Sequence, residues 1–497
     1  MSAPEQGHVG VERLEVGIPG FDLIALGGIP RDRTTLLVGS AGSGKTVFAV
    51  QYLVAGIERY DERGVLVTLV ETPADLARNV RSFGWDLERM AADGHLAFVD
   101  ASPVRTDEES VETGEFDFLA LLARIEHAVR SVGARRVAID SIDAVLLQFA
   151  DQSAVRRELG RLIATLGTLG VTSVLTGERP DEHAGPLARH PTEEYVADNV
   201  VVLRNTLVAE RRRRTIEILK VRGATHQKGS YPFAIDPTRG ITVLPLSAYA
   251  LQTPASTERV SLGNEELDAM LGGGSFRDSL ILVSGATGSG KTLVAATFAH
   301  AAAAAGERAL LFSFEETAER LVRNASSWGM DLAAAERSGN LMIVSRFPER
   351  MSTEDLLVTM ISEIEAFGPT RVAIDNLSAL GNIAPPRAFR EFLVGLANEL
   401  RRHAMAVLVT NTTATLLGGE SITQAQFSTM TDAIMLLRYV EVGGQVRRCV
   451  VILKMRGSRH DHSIREYTIG DDGMRVIGAI EGLTGVLAGE PTVLDAP

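Results

Sequence analysis

TTLLVGSAGSGKTVFAV, residues 34–50, joins a run of apolar and β-branched residues to a glycine-rich turn and then to a helical pattern. A buried strand, a tight turn and a helix N-terminus in that order make a phosphate cradle. Glycine lets successive backbone N–H groups curl around phosphate oxygens, and the helix dipole adds a favourable field. In Gly39-x4-Gly44-Lys45-Thr46, with Gly42 and Ser43 inside the turn, Lys45 is placed to reach the β- and γ-phosphates of ATP, and the Thr46 hydroxyl to ligate Mg²⁺. A strand-to-helix turn with no ligand would show the same local pattern. Its recurrence argues against that plainer reading: GATGSGKT, residues 285–292, follows another apolar run 246 residues later, with Lys291 and Thr292 in the equivalent places.

The duplication extends outward from the two loops. RNVRSFGWDL from Arg78 returns as RNASSWGMDL from Arg323. VAID ending at Asp140 returns ending at Asp375, and LKVRG from Leu219 returns as LKMRG from Leu453. The offset falls from 246 to 234 residues along the chain, so the second copy has lost residues between landmarks, where loops tolerate it. The expected organisation is a first domain over 1–247, a Ser/Thr/Ala/Pro-rich linker over 248–258, a second domain over 259–480 and a short tail over 481–497. Within the first copy the pattern predicts helix over 45–55, a strand ending at Val70, helix over 74–83 and over 116–132, and a strand ending on Asp140. Such alternation implies an α/β fold: a mostly parallel sheet flanked by helices, with ligands at the carboxyl ends of the strands.

Composition narrows the class further. The 497 residues are 45% hydrophobic and 23% charged, which excludes disorder over most of the chain. A single cysteine, Cys449, excludes an intramolecular disulfide scaffold. No signal-type N-terminus or membrane-length apolar run is visible, so a cytoplasmic protein with no membrane partner is expected. Fifty lysines and arginines against 63 aspartates and glutamates give a net charge of −13, and nucleic acid is not the expected partner.

Several polar residues fall at the ends of the strands. Asp140 and Asp375 end apolar runs roughly 90 residues after their loops, where a carboxylate holds the water shell of a nucleotide-bound metal. A turn former or helix cap is the alternative there. Glu71, Glu315 and Glu316 end the strand after the loop helix, where a carboxylate can orient water or accept a hydroxyl proton during phosphoryl transfer. A solvated strand end is the plainer reading. The first copy reads Val70-Glu71 where the second reads Glu315-Glu316, so the chemistry of the copies is expected to differ: the first copy either relies on Glu71 alone, after a local adjustment, or hydrolyses ATP very poorly. RRRR, residues 211–214, has no interleaved aromatics for base stacking; it reads as a source of arginine fingers for a neighbouring subunit or as a solvated edge. Lys220 and Arg222, repeated as Lys454 and Arg456, stand at alternate positions and read as phosphate or base contacts across a subunit interface.

With these motifs placed, the chain resembles the KaiC family of circadian-clock ATPases over about residues 10–490. RSFGWDL, QSAVRREL, RRRRTIEILKVRG, KGSYPF, AFREF, STMTDAIMLLRYVE and KMRGSRHD are all similar to segments of that family. The resemblance implies two tandem RecA-like P-loop domains, assembled as a double-ring homohexamer with ATP between subunits. The first ring would hydrolyse ATP slowly. The second would transfer the γ-phosphate to an adjacent Ser-Thr pair on a neighbouring subunit and remove it again. That pair falls on Ser428 and Thr429, which from their own context read only as a turn or cap before an apolar strand. The resemblance also makes Glu315 the general base, with Glu316 beside it. It implies ATP contacts at Ser43, Gly44, Lys45, Thr46, Val47, Ser82, Lys220, Val221, Arg222 and His226 in the first domain. In the second it implies Thr287, Gly288, Ser289, Gly290, Lys291, Thr292, Leu293, Trp328, Arg448, Lys454, Met455 and Arg456. Mg²⁺ would be held at Thr46, Thr292 and Glu315.

Two positions and the end of the chain depart from the family pattern. Val70 replaces the first of two glutamates, and Gln424 stands where the family has an acidic residue near the phosphosites. The chain ends soon after GLTGVLAGEPT, without a longer basic tail, so a KaiA partner is not expected, while a KaiB-like partner on the first ring is left open. Two other functions fit a tandem P-loop chain. A RecA-class DNA-stimulated motor would need basic pore loops and a DNA-binding accessory domain, neither of which is evident. A nucleotide-gated hexameric scaffold would need no chemistry at all.

Overall fold

The computed structural model describes residues 11–102, 118–146, 148–149, 151–179, 196–208, 211–245, 255–381, 383–413, 430–442, 444–480, 483–484 and 492–493. The chain divides into two compact units, Met1–Tyr249 and Ala250–Pro497.

In the first unit the described strands of the main sheet are β1 (Thr34–Gly39), β2 (Gly64–Thr68), β3 (Leu96–Asp100), β4 (Arg136–Asp140), β5 (Thr172–Glu178), β6 (Asn199–Val208), β7 (Arg211–Val221), β8 (Ser230–Asp236) and β9 (Gly240–Val243). Their order across the sheet is β9-β8-β7-β6-β1-β5-β4-β2-β3. The run from β6 to β3 is parallel, and β7, β8 and β9 are added antiparallel. Strands β1, β2 and β4 are almost wholly buried, as expected of a parallel sheet covered on both faces. One face packs on the loop helix α1 (Lys45–Tyr60) through residues such as Phe48, Tyr52 and Leu53. The other packs on α3 (Phe118–Val132) and α4 (Gln152–Thr168) through Leu121, Ile125, Leu159 and Leu162.

The second unit repeats the arrangement. Its strands β10 (Leu280–Gly285), β11 (Ala309–Ser313), β12 (Leu341–Ser345), β13 (Arg371–Asp375), β14 (Ala406–Thr412), β15 (Ala433–Val442), β16 (Gln445–Met455), β17 (Arg465–Gly470) and β18 (Gly473–Ala479) lie in the order β18-β17-β16-β15-β10-β14-β13-β11-β12. This is a tandem pair of α/β P-loop units. Among the described residues no helix is long and apolar enough to cross a membrane.

Some boundaries differ from the sequence reading. Helix α1 runs five residues past Ala55, to Tyr60. Strand β2 stops at Thr68; the Leu69 amide makes the last bond of its ladder, to the Asp140 carbonyl at 2.8 Å, and Val70 beyond it is 60% exposed. The helix expected over 74–83 is α2 (Pro73–Val80), capped by the Thr72 hydroxyl on the Asp75 amide, followed by a short 3₁₀ turn (Arg81–Phe83) that ends at left-handed Gly84.

Candidate functional site

Each glycine-rich turn connects a buried strand to its helix. Gly44 and Gly290 hold the positions before Lys45 and Lys291 with φ of 96° and 92°, values that a side chain would strain. At the strand end there is no room for a Cβ: one on Gly39 would strike the Leu203 carbonyl, and one on Gly285 the Leu437 carbonyl. Val47 and Leu293, in the first helical turns, face inward and anchor the loops to the core.

The loop lysines lie over their own turns. Lys45 Nζ donates to the carbonyls of Gly39 at 2.8 Å and Ser40 at 3.1 Å, and Lys291 Nζ donates to Ala286 at 2.9 Å. Burial lowers both lysines below the ordinary lysine value. The carboxylates that oppose this are Glu178, Asp140 and Asp143 for Lys45, and Asp375 and Glu315 for Lys291. Ser43 and Ser289 are fully buried, and among the described residues their hydroxyls have no partner. Cations held by carbonyls that phosphate oxygens can replace, beside orphaned hydroxyls, fit a nucleotide triphosphate.

The loop threonines are joined to the strand-end aspartates. Thr46 Oγ1 donates to Asp140 Oδ2 at 2.8 Å, and Thr292 Oγ1 to Asp375 Oδ2 at 2.7 Å. The other carboxylate oxygens accept from Thr176 and Thr410 on the neighbouring strands. Sequence reading missed these two threonines, although their shared offset in the repeat marks them. A hydroxyl and a carboxylate side by side offer the oxygen ligands that a hard divalent cation prefers. Burial pushes the Asp375 carboxyl above its ordinary value, against the hydrogen bonds of Thr410 and Thr292 and the charge of Lys291.

The glutamates separate into two kinds. Glu71 accepts from Asn79 Nδ2 at 3.1 Å, and Glu316 accepts from Asn324 Nδ2 at 3.1 Å, so these two residues are structural equivalents. Glu315 is exposed and acts on Lys291; its equivalent is the exposed Val70.

The remaining candidates lie farther out. Lys220 and Val221 pair with Val200 and Asn199, at the end of the sheet where β1 begins, whereas the loop leaves β1 opposite Leu203. Four residues of strand separate these levels, about 13 Å. Lys220 donates to the Ala197 carbonyl at 2.8 Å, and Arg222 pairs with Asp198 at 3.6 Å. Lys454 and Arg456, flanking Met455, repeat this with the Thr431 carbonyl and Asp432. These cations therefore do not meet the loop of their own unit. Burial lowers His226 below its ordinary value. Arg448 lies over the Tyr439 ring at 5.6 Å, and Tyr439 donates to the Thr287 carbonyl at 3.4 Å, beside left-handed Gly288. In the first unit, Asn205 takes the place of that tyrosine and donates to Gly42 at 3.3 Å, and Arg212 donates back to the Asn205 carbonyl at 3.1 Å. Ser82 is exposed in its 3₁₀ turn, and Trp328 borders a cavity of about 280 Å³ together with Thr297, His300 and Asp472. Ser428, Thr429 and Gln424 lie outside the described residues.

A family model described as the KaiC ATPase matches residues 14–248 and again residues 260–481. The chain is 50% identical over 487 residues to circadian clock protein KaiC3 of Synechocystis sp., covering 98% of this chain and 96% of that protein. Over 494 residues it is 47% identical to the circadian clock oscillator protein KaiC of Synechococcus elongatus, covering 99% and 94%. A second Synechocystis protein, KaiC 1, is 46% identical over 489 residues, covering 98% and 93%.

Proposed function

The chain belongs to the KaiC family of ATPases, and from that membership we propose that it is an autophosphorylating and autodephosphorylating Ser/Thr kinase as well as an ATPase, the core of a timing or signalling system. The observation that carries the reading is the grouping, in the second unit, of the loop lysine with the Thr292–Asp375 pair, with Glu315 exposed just past the end of β11. Glu315 acts on Lys291 beside the Thr292–Asp375 pair, where a γ-phosphoryl group would lie. Mg²⁺ would be held by Thr46 near Asp140, and by Thr292 near Asp375 with Glu315. When bound, it neutralises charge on the phosphates. Glu315 takes the proton of the acceptor hydroxyl, Glu316 supports it, and Lys291 holds the phosphoryl oxygens. The acceptors are Ser428 and Thr429 of a neighbouring subunit.

Assembly as a homohexamer supplies that neighbour. Lys220, Arg222, Lys454 and Arg456 stand at the sheet end away from their own loops, which suits contacts to the nucleotide of an adjacent copy. A KaiB-like protein is the partner proposed for the first ring. The deciding experiment is incubation with ATP and Mg²⁺, followed by mass spectrometry of the peptide bearing Ser428 and Thr429. Phosphate on that pair supports the kinase; ATP turnover with no label there rejects it.

A further inference from the structure

The two units place their negative charge in reciprocal positions. At the end of the strand after the loop helix, the second unit has Glu315 and the first has Val70. At the ends of the two strands that lie between that strand and β1 the situation reverses: the first unit has Asp143 and Glu178 where the second has Ser378 and Thr412. The local bond is the same in both. Ser378 Oγ accepts from the Thr412 amide at 2.6 Å, and Asp143 Oδ2 accepts from the Glu178 amide at 2.6 Å and from Ser141 Oγ at 2.9 Å.

Glu178 ends β5 with its Cα opposite Gly39, the first residue of the loop. The Gly39 carbonyl accepts both from the Arg179 amide at 3.2 Å and from Lys45 Nζ at 2.8 Å, so the strand end and the lysine head meet at one oxygen. The Glu178 side chain is exposed at that corner, and its carboxylate is the foremost negative charge acting on Lys45, ahead of Asp140 and Asp143. Glu71 is bonded to Asn79, in the manner of Glu316.

We propose that Glu178 is the catalytic carboxylate that orients and deprotonates the attacking water in the first unit, in place of the glutamate missing at position 70, with Asp143 as its positioning residue. The proposal rests on reading the first unit as an ATPase. The water oxygen bonds to the γ-phosphorus as the bond from that phosphorus to the β,γ-bridging oxygen breaks. The bond's electron pair leaves with ADP, and the water proton passes to Glu178 and then to the phosphate released.

The test uses the full chain carrying Lys291→Ala, so that turnover belongs to the first unit. Glu178→Gln is expected to lower kcat by about 10²–10⁴-fold, the range of a general base. KM and the affinity for a fluorescent ATP analogue are expected to stay unchanged. Asp143→Ser, which installs the residue of the second unit, lowers kcat less and also keeps affinity. Adding Val70→Glu to Glu178→Gln returns turnover. Undiminished kcat in Glu178→Gln overturns the proposal alone, as does loss of nucleotide binding along with turnover. Failure of Val70→Glu to restore turnover while binding is intact overturns it too, by assigning the strand end a structural task. Absence of turnover in the Lys291→Ala parent overturns both the proposal and the ATPase reading of the first unit.

Discussion

Asn79 donates its side-chain amide to the carboxylate of Glu71 at 3.1 Å, and the same bond recurs between Asn324 and Glu316. Glu71 is thereby matched to the outer glutamate of the second unit, and the inner position belongs to Val70. The bond ties Glu71 to Asn79 of α2, so Glu71 reaches the loop only by giving it up. In the Lys291→Ala chain, Glu71→Gln should therefore slow phosphate release far less than Glu178→Gln. Steady-state phosphate release from the two variants, side by side, checks the order.

Autophosphorylation should depend on Lys291 and Glu315 in different ways. Lys291→Ala removes the cation over the second loop and should abolish both nucleotide binding there and labelling of the Ser428–Thr429 peptide. Glu315→Gln keeps the shape and removes the base, so labelling should slow by about 10²–10⁴-fold while ATP remains bound. Time courses by mass spectrometry, with nucleotide content measured in parallel, separate the two.

Arg222 is half of an interfacial pair in the proposed ring. Truncating a cation that meets phosphate across an interface costs about 2–5 kcal/mol. Arg222→Ala should shift assembly in ATP towards smaller species in light scattering. An unchanged hexamer would place the residue outside the interface.

The buried end of β13 gives a prediction that involves no nucleotide. Arg371, 4% exposed, donates to both oxygens of Glu307, which also accepts from Thr370 and pairs with Arg277. Hydrogen bonding from Arg371 holds the Glu307 carboxyl at about 2, against an ordinary 4.5. The folded value lies below the unfolded one, so the stabilisation is complete above pH 4.5 and is lost as pH falls from there towards about 2. Glu307→Gln should lower stability at neutral pH by about 3–5 kcal/mol, since it leaves a buried guanidinium unpaired. It should also flatten the acid limb of the stability curve. Urea midpoints measured across that pH range test both.

What could be read in the sequence was whatever is local or repeated. The loops, the aspartates ending VAID and the strand–helix alternation all lie within a few residues or recur at a fixed offset. Glu178 and Asp143 could not be read that way. They approach Lys45 because β5 inserts between β1 and β4, an adjacency set by sheet order rather than by chain order. The bonds of Thr176 and Thr410 to the two aspartates come from the same strand adjacency, although the repeat offset marks the residues themselves. Arg136, 1% exposed inside an apolar strand, was hidden by its neighbours; it bonds Glu62 and the carbonyls of Glu15, Val16 and Tyr52. The end of α1 was misjudged because its last turn is only partly buried, so the apolar signal fades before the helix does.

In the proposed ring, the separation of the loop from Lys220 and Arg222, at opposite ends of one sheet, has a genetic signature. A subunit that lends its cations to a neighbour and borrows from another can carry a lesion whose effect appears next door. A chain defective only at Lys45 and a chain defective only at Arg222 would each silence every first-ring site in a pure ring. In a mixed ring, some junctions unite an intact loop with an intact donor, and those sites work. Two inactive preparations would therefore complement each other on co-assembly, in proportion to the frequency of such junctions. A double mutant carrying both lesions in one chain would complement neither: mixed with the Lys45 lesion it leaves its partner's loop broken, and mixed with the Arg222 lesion it leaves no donor.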